Sequence, residues 1–193
     1  MAISNYSDYK SAGWRSNTGF TIVELLVVMG ITAILFTSLV FYSRTAEKQL
    51  ILFKEQMKII TALQKAKSLA IVAFNESQTT CGYGVNFDKT NNKMTIFKEQ
   101  PASGNNSCST RDHIYTSIDE FYEEIKLDNR TIKFGNLINS DGGVFADIVF
   151  ISPEPIIVID DSSSEFATIE ITDISGVNKK TVKVTDAGQI TAQ

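Results

Sequence analysis

The chain has 193 residues, of which 43% are hydrophobic and 21% are charged, and its formal net charge is −4 at pH 7. This composition is ordinary for a globular protein, and the length leaves room for one soluble domain beside a long apolar segment. Its acidic balance makes the chain a poor electrostatic match for nucleic acid. The sequence contains no P-loop, Gly-x-Gly-x-x-Gly or Gly-x-Ser-x-Gly motif, which argues against the common nucleotide-binding and hydrolase sites.

The first segment, residues 1–18, is polar and mixed, with Trp14 as its one bulky apolar residue. We interpret this segment as a disordered cytoplasmic leader. Lys10 and Arg15 precede the next segment closely, and positive charge marks the cytoplasmic side of a membrane span. The C-terminal part of the chain is therefore expected on the extracytoplasmic side.

An apolar segment follows and carries no charged residue between Leu25 and Tyr42. A run of about 18 or more such residues predicts a transmembrane helix, which we place at about residues 20–43. A secretory signal peptide is a poorer interpretation, because the run is too long and no small-residue cleavage site follows it. A plain single-pass anchor fits the length but leaves Glu24 unexplained, because a carboxylate within a span costs roughly 2.5–3.5 kcal/mol at its centre and less near an end.

The start of this segment resembles the N-terminus of type IV prepilins and of the pseudopilins of type II secretion. The resemblance rests on Gly19, Phe20, Thr21 and Glu24, which read Gly-Phe-Thr-x-x-Glu before the apolar run. It implies that prepilin peptidase cuts after Gly19 and that the new N-terminal Phe20 is then methylated. Residues 1–19 would be the leader that this cut removes.

The resemblance also implies a role for Glu24 in assembly. After the cut, Glu24 lies four residues, or about one helical turn, from the free ammonium group of Phe20. In the family, the glutamate of an incoming subunit pairs with the terminal amine of its neighbour, and a buried charge needs such a partner. We therefore expect Glu24 to dock and register subunits, and we expect no catalytic residue.

The helix is predicted to continue beyond the span, because residues 44–74 contain no proline or glycine and are rich in helix formers. Apolar residues recur there at helical spacing, at Leu52, Phe53, Met57, Ile59, Ile60, Leu63, Ala66, Ala70 and Phe74. The opposite face is predicted to carry Lys54, Lys58, Thr61, Lys65 and Ser68. One helix over residues 20–75, with its end at Asn75, is therefore expected to pack its second half on a domain.

Residues 76–193 change to short β-prone segments separated by turn residues, which predicts antiparallel strands in an extracytoplasmic globular domain. The expected strands are 83–87, 93–98, 121–127, 131–134, 147–151, 155–159, 166–172, 181–185 and 189–191. Val182 and Val184 alternate with polar residues, as a sheet with one buried face requires. The expected fold is α+β and pilin-like, with one long N-terminal helix packed on a C-terminal antiparallel β-sheet domain.

Two cysteines, Cys81 and Cys108, lie beyond the span and bracket the first predicted hairpin. We favour a disulfide between them, because disulfides persist outside the cytoplasm. A bridge that closes about 28 residues stabilises by roughly 3–4 kcal/mol in the chain-entropy model. Two separate buried thiols are the alternative, and two thiols alone do not make a zinc site.

Three other groups of residues carry weaker hypotheses. His113 lies in a polar loop, where a solvated side chain is the expected state. A calcium ion is a minor hypothesis for the acidic group Asp160, Asp161 and Glu165, which lacks the spacing of an EF-hand. DNA capture is a minor hypothesis for the basic group Lys179, Lys180 and Lys183, which lacks an arginine and a stacking aromatic residue.

The function expected from the resemblance is that of a structural subunit, not an enzyme, with no cofactor and no metal. Its partners would be prepilin peptidase, other pilin or pseudopilin subunits, the bacterial inner membrane and the assembly platform, and the protein would pass from that membrane into a filament. The segments 81–85, 150–155 and 182–190 are similar to minor pseudopilins of the GspH/FimT type. A minor pilin or pseudopilin of a type IV pilus or type II secretion pseudopilus is expected, with a DNA-capturing minor pilin or a major pilin as alternatives.

Overall fold

The computed structural model describes residues 19–73, 80–101, 108, 111–116, 119–151, 156–160 and 164–193, without the side chains of residues 43–45 and 156. Its elements are α1 (Ile22–Ala73), β1 (Gly82–Asp88), β2 (Lys93–Glu99), β3 (Glu120–Lys126), β4 (Ile132–Asn139), β5 (Asp147–Ile151), β6 (Ile156–Ile159), β7 (Phe166–Asp173), β8 (Lys179–Thr185) and β9 (Ile190–Ala192). The leader and the predicted helix end at Asn75 lie outside the described residues. The chain divides into two compact units, Met1–Ser43 and Arg44–Gln193.

The strands form two antiparallel sheets in the second unit. The first sheet has the order β3-β2-β1-β5-β6, and the second has the order β4-β7-β8-β9. Their interior is apolar, because β-branched residues such as Ile169 of β7 and Val182 of β8 pair directly and are fully buried. The predicted α+β fold, a long N-terminal helix packed on antiparallel sheets, is confirmed.

Strand β4 is longer than the sequence predicted. The prediction ended it at residue 134, whereas the structure extends it to Asn139. The pairing of β4 with β7 shifts register between Phe134 and Leu137, which is the mark of a β-bulge. Gly135 lies in this bulge, where an added Cβ would collide with the side chain of Glu170. The glycine therefore belongs to the strand, where it leaves the space that the Glu170 side chain of the neighbouring strand occupies.

The second half of α1 contributes one face to the core of the second unit. Its buried apolar residues are Leu52, Ile59, Ile60, Ala62, Leu63, Ala66, Ala70 and Ala73. They recur at steps of three and four, which is the spacing of one helix face. All of them except Ala73 join strand residues of both sheets in one continuous hydrophobic cluster. This packing, and not intrinsic helix propensity, is expected to hold the second half of the helix in place.

The predicted face of α1 is wrong at two positions. Phe53 and Met57 are 51% and 41% exposed, whereas Glu55 and Gln56 are 1% exposed. Gln56 takes a core position because its side-chain amide donates to the backbone oxygens of Thr181 at 2.8 Å and Gln193 at 3.2 Å. Glu55 is paired with Lys58 at 2.9 Å. Polar partners thus allow these two side chains to be buried at the apolar spacing.

Asn92 connects the two sheets. It lies in the β1–β2 turn with a φ of 53° and is 6% exposed. Its side-chain amide donates to the backbone oxygen of Ile132 at 2.8 Å and accepts from the backbone N–H of Phe134 at 3.0 Å. One side chain in the first sheet therefore satisfies two backbone groups of β4 in the second sheet.

Candidate functional site

The surface of the first unit is the most unusual feature of the chain. From Phe20 to Tyr42 every described residue is exposed, and Phe20, Ile22 and Tyr42 are 77%, 80% and 78% exposed. By length and composition α1 is able to cross a membrane, and none of its most apolar window is buried within the protein. An apolar surface of this extent needs a lipid or protein environment to cover it. The core helix of a soluble protein would instead bury such a window.

Two threonine side chains within this segment are satisfied by the helix itself. The Thr32 hydroxyl donates to the backbone oxygens of Val28 at 2.9 Å and Met29 at 3.0 Å. The Thr37 hydroxyl donates in the same way to Ala33 and Ile34. In a bilayer no water satisfies such groups, so these local bonds make both threonines compatible with an apolar environment.

The helix start is organised by Thr21 and Glu24. The backbone N–H of Glu24 donates to the Thr21 hydroxyl at 3.2 Å, and the backbone N–H of Leu25 donates to the Thr21 backbone oxygen at 3.1 Å. Thr21 is therefore the N-cap, and Thr-x-x-Glu has the spacing of a capping box. A carboxylate in the first turn also suits the positive end of the helix dipole. Glu24 thus has a local structural role in addition to the assembly role predicted from the sequence.

Gly19 and Phe20 lie outside the helix, ahead of its first turn. Both are exposed, and an added Cβ at Gly19 would meet no atom within 4 Å. The Gly19–Phe20 peptide bond is thus accessible in the described chain. This is the bond at which the predicted cut would occur.

A disulfide joins Cys81 and Cys108 in the second unit. It anchors a connection between β2 and β3 near the outer face of the first sheet. On that face the ring of Tyr115 lies 5.0 Å from the ring of Phe97, centroid to centroid. Gly84 leaves room for the Phe97 ring, which an added Cβ would strike. The favoured disulfide agrees with the structure, and Tyr115 of the same connection contacts Phe97 on that face.

His113 lies in the same connection between β2 and β3. It is buried, although the sequence predicts a solvated side chain. It is 8% exposed, and its backbone N–H donates to Glu99 Oε1 at 2.8 Å. Arg111 Nε donates to His113 Nε2 at 3.2 Å. Its φ of 55° turns the chain towards Glu99, which is fully buried. The composition of the loop gave no signal for this contact, because it depends on β2 placing Glu99 beneath the loop.

The carboxylate of Asp147 also lies on this face. It accepts a hydrogen bond from the side-chain amide of Asn86 at 2.9 Å and is 2% exposed. Burial raises the pKa of Asp147 to about 6, with a further contribution from the charges of Asp160 and Asp119, against the opposing hydrogen bond from Asn86. Compared with the unfolded chain, the folded protein therefore keeps the proton on this carboxyl group up to a higher pH.

This shift predicts a loss of stability as the pH rises from about 4 to about 6. Over that range the unfolded Asp147 has released its proton while the folded one still holds it, so raising the pH favours the unfolded chain. A pKa that moves from 3.8 to about 6 corresponds to roughly 3 kcal/mol. Asp147→Asn keeps the oxygen that accepts from Asn86 and should be more stable than the natural protein at pH 7 by up to this amount.

The measurement is urea unfolding of both proteins in non-ionic detergent between pH 4 and pH 7. Other carboxylates, such as Asp173 with its pKa lowered to about 2, act in the opposite direction. Their contribution cancels in the difference between the two proteins. The difference should shrink to near zero at pH 4, and a difference that does not change with pH would contradict the assignment.

The calcium hypothesis and the DNA-capture hypothesis gain no support from the described residues. Within them no group of three or more acidic, histidine or cysteine side chains is arranged to hold a metal ion. The Asp160 carboxylate instead accepts from the backbone N–H groups of Ala146 and Asp147, and Asp161 lies outside the described residues. In the basic group, Lys179 pairs with Glu170 at 3.2 Å and Lys183 lies 3.7 Å above the ring of Phe166.

Comparison with known proteins bears on the N-terminal segment. Residues 14–40 match the family described as Prokaryotic N-terminal methylation motif. No curated protein and no solved structure matches the chain. The match includes the Gly-Phe-Thr-x-x-Glu sequence and most of the exposed apolar helix. It supports a structural subunit of the type IV pilin-like kind, with processing by prepilin peptidase, membrane anchoring and assembly with other pilins.

Proposed function

We propose that the protein is a minor pilin or pseudopilin that is assembled into a type IV pilus or a type II secretion pseudopilus. The observation that carries this proposal is the methylation motif at residues 14–40 directly before an exposed apolar helix. A minor pseudopilin of the GspH/FimT type is the form we favour. That preference rests on the sequence likeness of residues 81–85, 150–155 and 182–190.

The processing step in this proposal acts on Gly19 and Phe20. Prepilin peptidase cleaves the peptide bond between them, residues 1–19 are released, and the new N-terminal amine of Phe20 is methylated. Water takes part in the cleavage, and a methyl donor supplies the group that the Phe20 nitrogen receives. The exposure of both residues ahead of the capped helix start supports access to this bond.

The topology in this proposal has one crossing of the inner membrane. Residues 20–43 span the bilayer, the leader faces the cytoplasm, and residues 76–193 form a domain on the opposite side. Lys10 and Arg15 support this orientation through the positive-inside rule. The disulfide between Cys81 and Cys108 supports it as well, because such bonds persist outside the cytoplasm.

The assembly step in this proposal uses Glu24. A subunit that leaves the lipid for the apolar centre of a filament carries this carboxylate with it. The free amine of Phe20 on a neighbouring subunit is the cation available to pair with it there. The pair fixes the axial position of one subunit relative to the next, because charges buried in apolar surroundings require a close partner.

Replacement of Gly19 by leucine tests the processing step. We expect Gly19→Leu to leave an uncut and unmethylated precursor in the membrane, because the bulky residue occupies the position before the scissile bond. Gly30→Leu is the matched control, since an added Cβ meets no atom within 4 Å at either glycine.

Intact-mass spectrometry of the membrane protein gives the readout for both variants. The control should lose residues 1–19 and gain one methyl group on Phe20. Normal cleavage of Gly19→Leu would contradict the proposal. Loss of cleavage in both variants would mean that the helix, and not the cleavage site, had been disturbed.

A further inference from the structure

The turn between β7 and β8 presents two apolar side chains to solvent on a rigid frame. Ile174 and Val177 are 55% and 79% exposed. The Asp173 carboxylate accepts from the backbone N–H of Val177 at 3.1 Å and from the side-chain amide of Asn178 at 2.7 Å. Gly176 supplies the φ of 76° that the turn requires. A turn held this firmly does not fold its apolar residues back onto the protein.

This turn lies beside the second half of α1, with a groove on each side. One groove has a volume of about 350 Å³ and is lined by Lys48, Ile51, Arg130 and Ile174 among others. The other has a volume of about 530 Å³ and is lined by Phe53, Val177, Lys179 and Lys180 among others. We call the combined area the turn surface; its residues are Lys48, Ile51, Phe53, Arg130, Ile174, Val177, Lys179 and Lys180.

The turn surface is basic although the chain as a whole has a net charge of −4. Four cationic side chains surround its apolar residues. Two carboxylates lie among them, Asp173 in the first groove and Glu170, which pairs with Lys179 at 3.2 Å, so the surface keeps two more cations than anions. An apolar centre with a basic rim is the composition of a surface that lies in the interface of an anionic bilayer.

We infer that the turn surface binds the anionic phospholipid surface of the membrane in which the chain is anchored. This inference rests on the membrane anchoring in the proposed function. Lys48 follows Tyr42 by six residues, so the chain keeps it within about 22 Å of the end of the span at any angle between the two units. The tether holds the turn surface at a high effective concentration near the headgroups. Ile174 and Val177 enter the interface. Lys48, Lys180 and Arg130 meet the phosphate groups.

Tryptophan placed on the turn surface makes this contact measurable. In a Trp14→Phe background, Val177→Trp gives the full chain one indole at the turn. Val144→Trp is the matched control, because Val144 is 81% exposed and bridges to Ile138 near the other end of β4. The β4–β7 pairing joins Ile132 to Asp173 and Asn139 to Ala167, so the two sites lie at opposite ends of the second sheet.

Both proteins are reconstituted into vesicles that contain brominated phosphatidylglycerol, and the quenching of tryptophan fluorescence is measured. We expect at least twofold quenching at residue 177 and little at residue 144. Quenching at residue 177 should fall in brominated phosphatidylcholine alone, at high salt, and in a variant that also carries Arg130→Gln and Lys180→Gln. Equal quenching of the two sites, or none at residue 177, would overturn the inference.

Flotation of the vesicles after an alkaline wash separates this result from a failure of the proposed anchoring. If the chain floats and residue 177 is not quenched, the span stands and the turn surface does not bind lipid. If the chain is washed off, the anchoring is wrong and the inference is wrong with it. A blue shift at residue 177 that depends on protein density and not on lipid charge would identify a second subunit as the occupant and would also overturn the inference.

Discussion

Glu24→Val is expected to leave membrane insertion and leader cleavage intact and to block incorporation into filaments. Insertion should become easier, because the change removes a carboxylate from the apolar segment. Cleavage acts at Gly19–Phe20, which the substitution leaves unchanged. In the filament, however, the ammonium group of a neighbouring Phe20 would be left without its partner, which costs about 3–5 kcal/mol in apolar surroundings. The extra apolar contact of valine returns roughly 0.8 kcal/mol per buried CH₂ and does not offset this loss.

The capping contact at the helix start provides the control for this prediction. Thr21→Val removes the hydroxyl that accepts from the Glu24 backbone N–H but keeps the carboxylate. It should cost the helix about 1 kcal/mol and leave filament incorporation largely intact. The variants are expressed beside the natural protein, and cleaved subunit is quantified in membranes and in sheared filaments. Normal incorporation of Glu24→Val, or equal defects in both variants, would leave Glu24 as a helix-start residue without a pairing role.

Asn92→Ala should cause the largest loss of stability of any single change in the second unit that we consider. It leaves the Phe134 N–H and the Ile132 backbone oxygen without their buried partner, at about 1–3 kcal/mol for each group. It also places alanine at a φ of 53°, a left-handed conformation that asparagine tolerates better than alanine does. The expected total is about 3–5 kcal/mol, since the sheets can relax in part around the lost bonds.

Two further variants separate the parts of this effect. Asn91→Ala removes a hydrogen bond to Asp88 in the same turn, but on the exposed side, and should cost about 1 kcal/mol or less. Asn92→Gly loses the same bonds as Asn92→Ala but relieves the backbone, so it should be the more stable of the two. The free energy of urea unfolding is the measurement. A cost for Asn92→Ala no larger than that for Asn91→Ala would show that Asn92 does not link the sheets.

Regular periodicity made the large elements predictable. The uncharged apolar run between Leu25 and Tyr42, and the apolar spacing in residues 44–74 without proline or glycine, predicted the helix before any contact was known. Strands β5 and β7 were predicted closely because turn residues bound them on both sides. The cleavage motif is a local feature of sequence, so its residues were identified without the fold.

The burial of Gln56 and of His113 was not predicted, for one physical reason. In each case the burial depends on a partner that is distant in the sequence. Gln56 is buried because β8 presents a backbone oxygen to it, and His113 is buried because Glu99 lies beneath its loop. Neither partner can be read from neighbouring residues. The burial of Gln56 had one sequence signal, the regular spacing of Leu52 and Ile59, which leaves positions 55 and 56 on the buried face. The choice of Phe53 and Met57 followed apolar character instead of spacing.

The Gln56 contact also determines when the domain can close during synthesis. Its two acceptors, Thr181 and Gln193, follow it by 125 and 137 residues. In the proposed orientation the helix leaves the ribosome before these acceptors, so at about 5–20 residues per second the inner face of the helix waits roughly 6–27 s for its partners. Cys81 and Cys108 are separated by 27 residues and both cross the membrane well before this wait ends. The covalent loop is therefore expected to form on a chain whose core is still open.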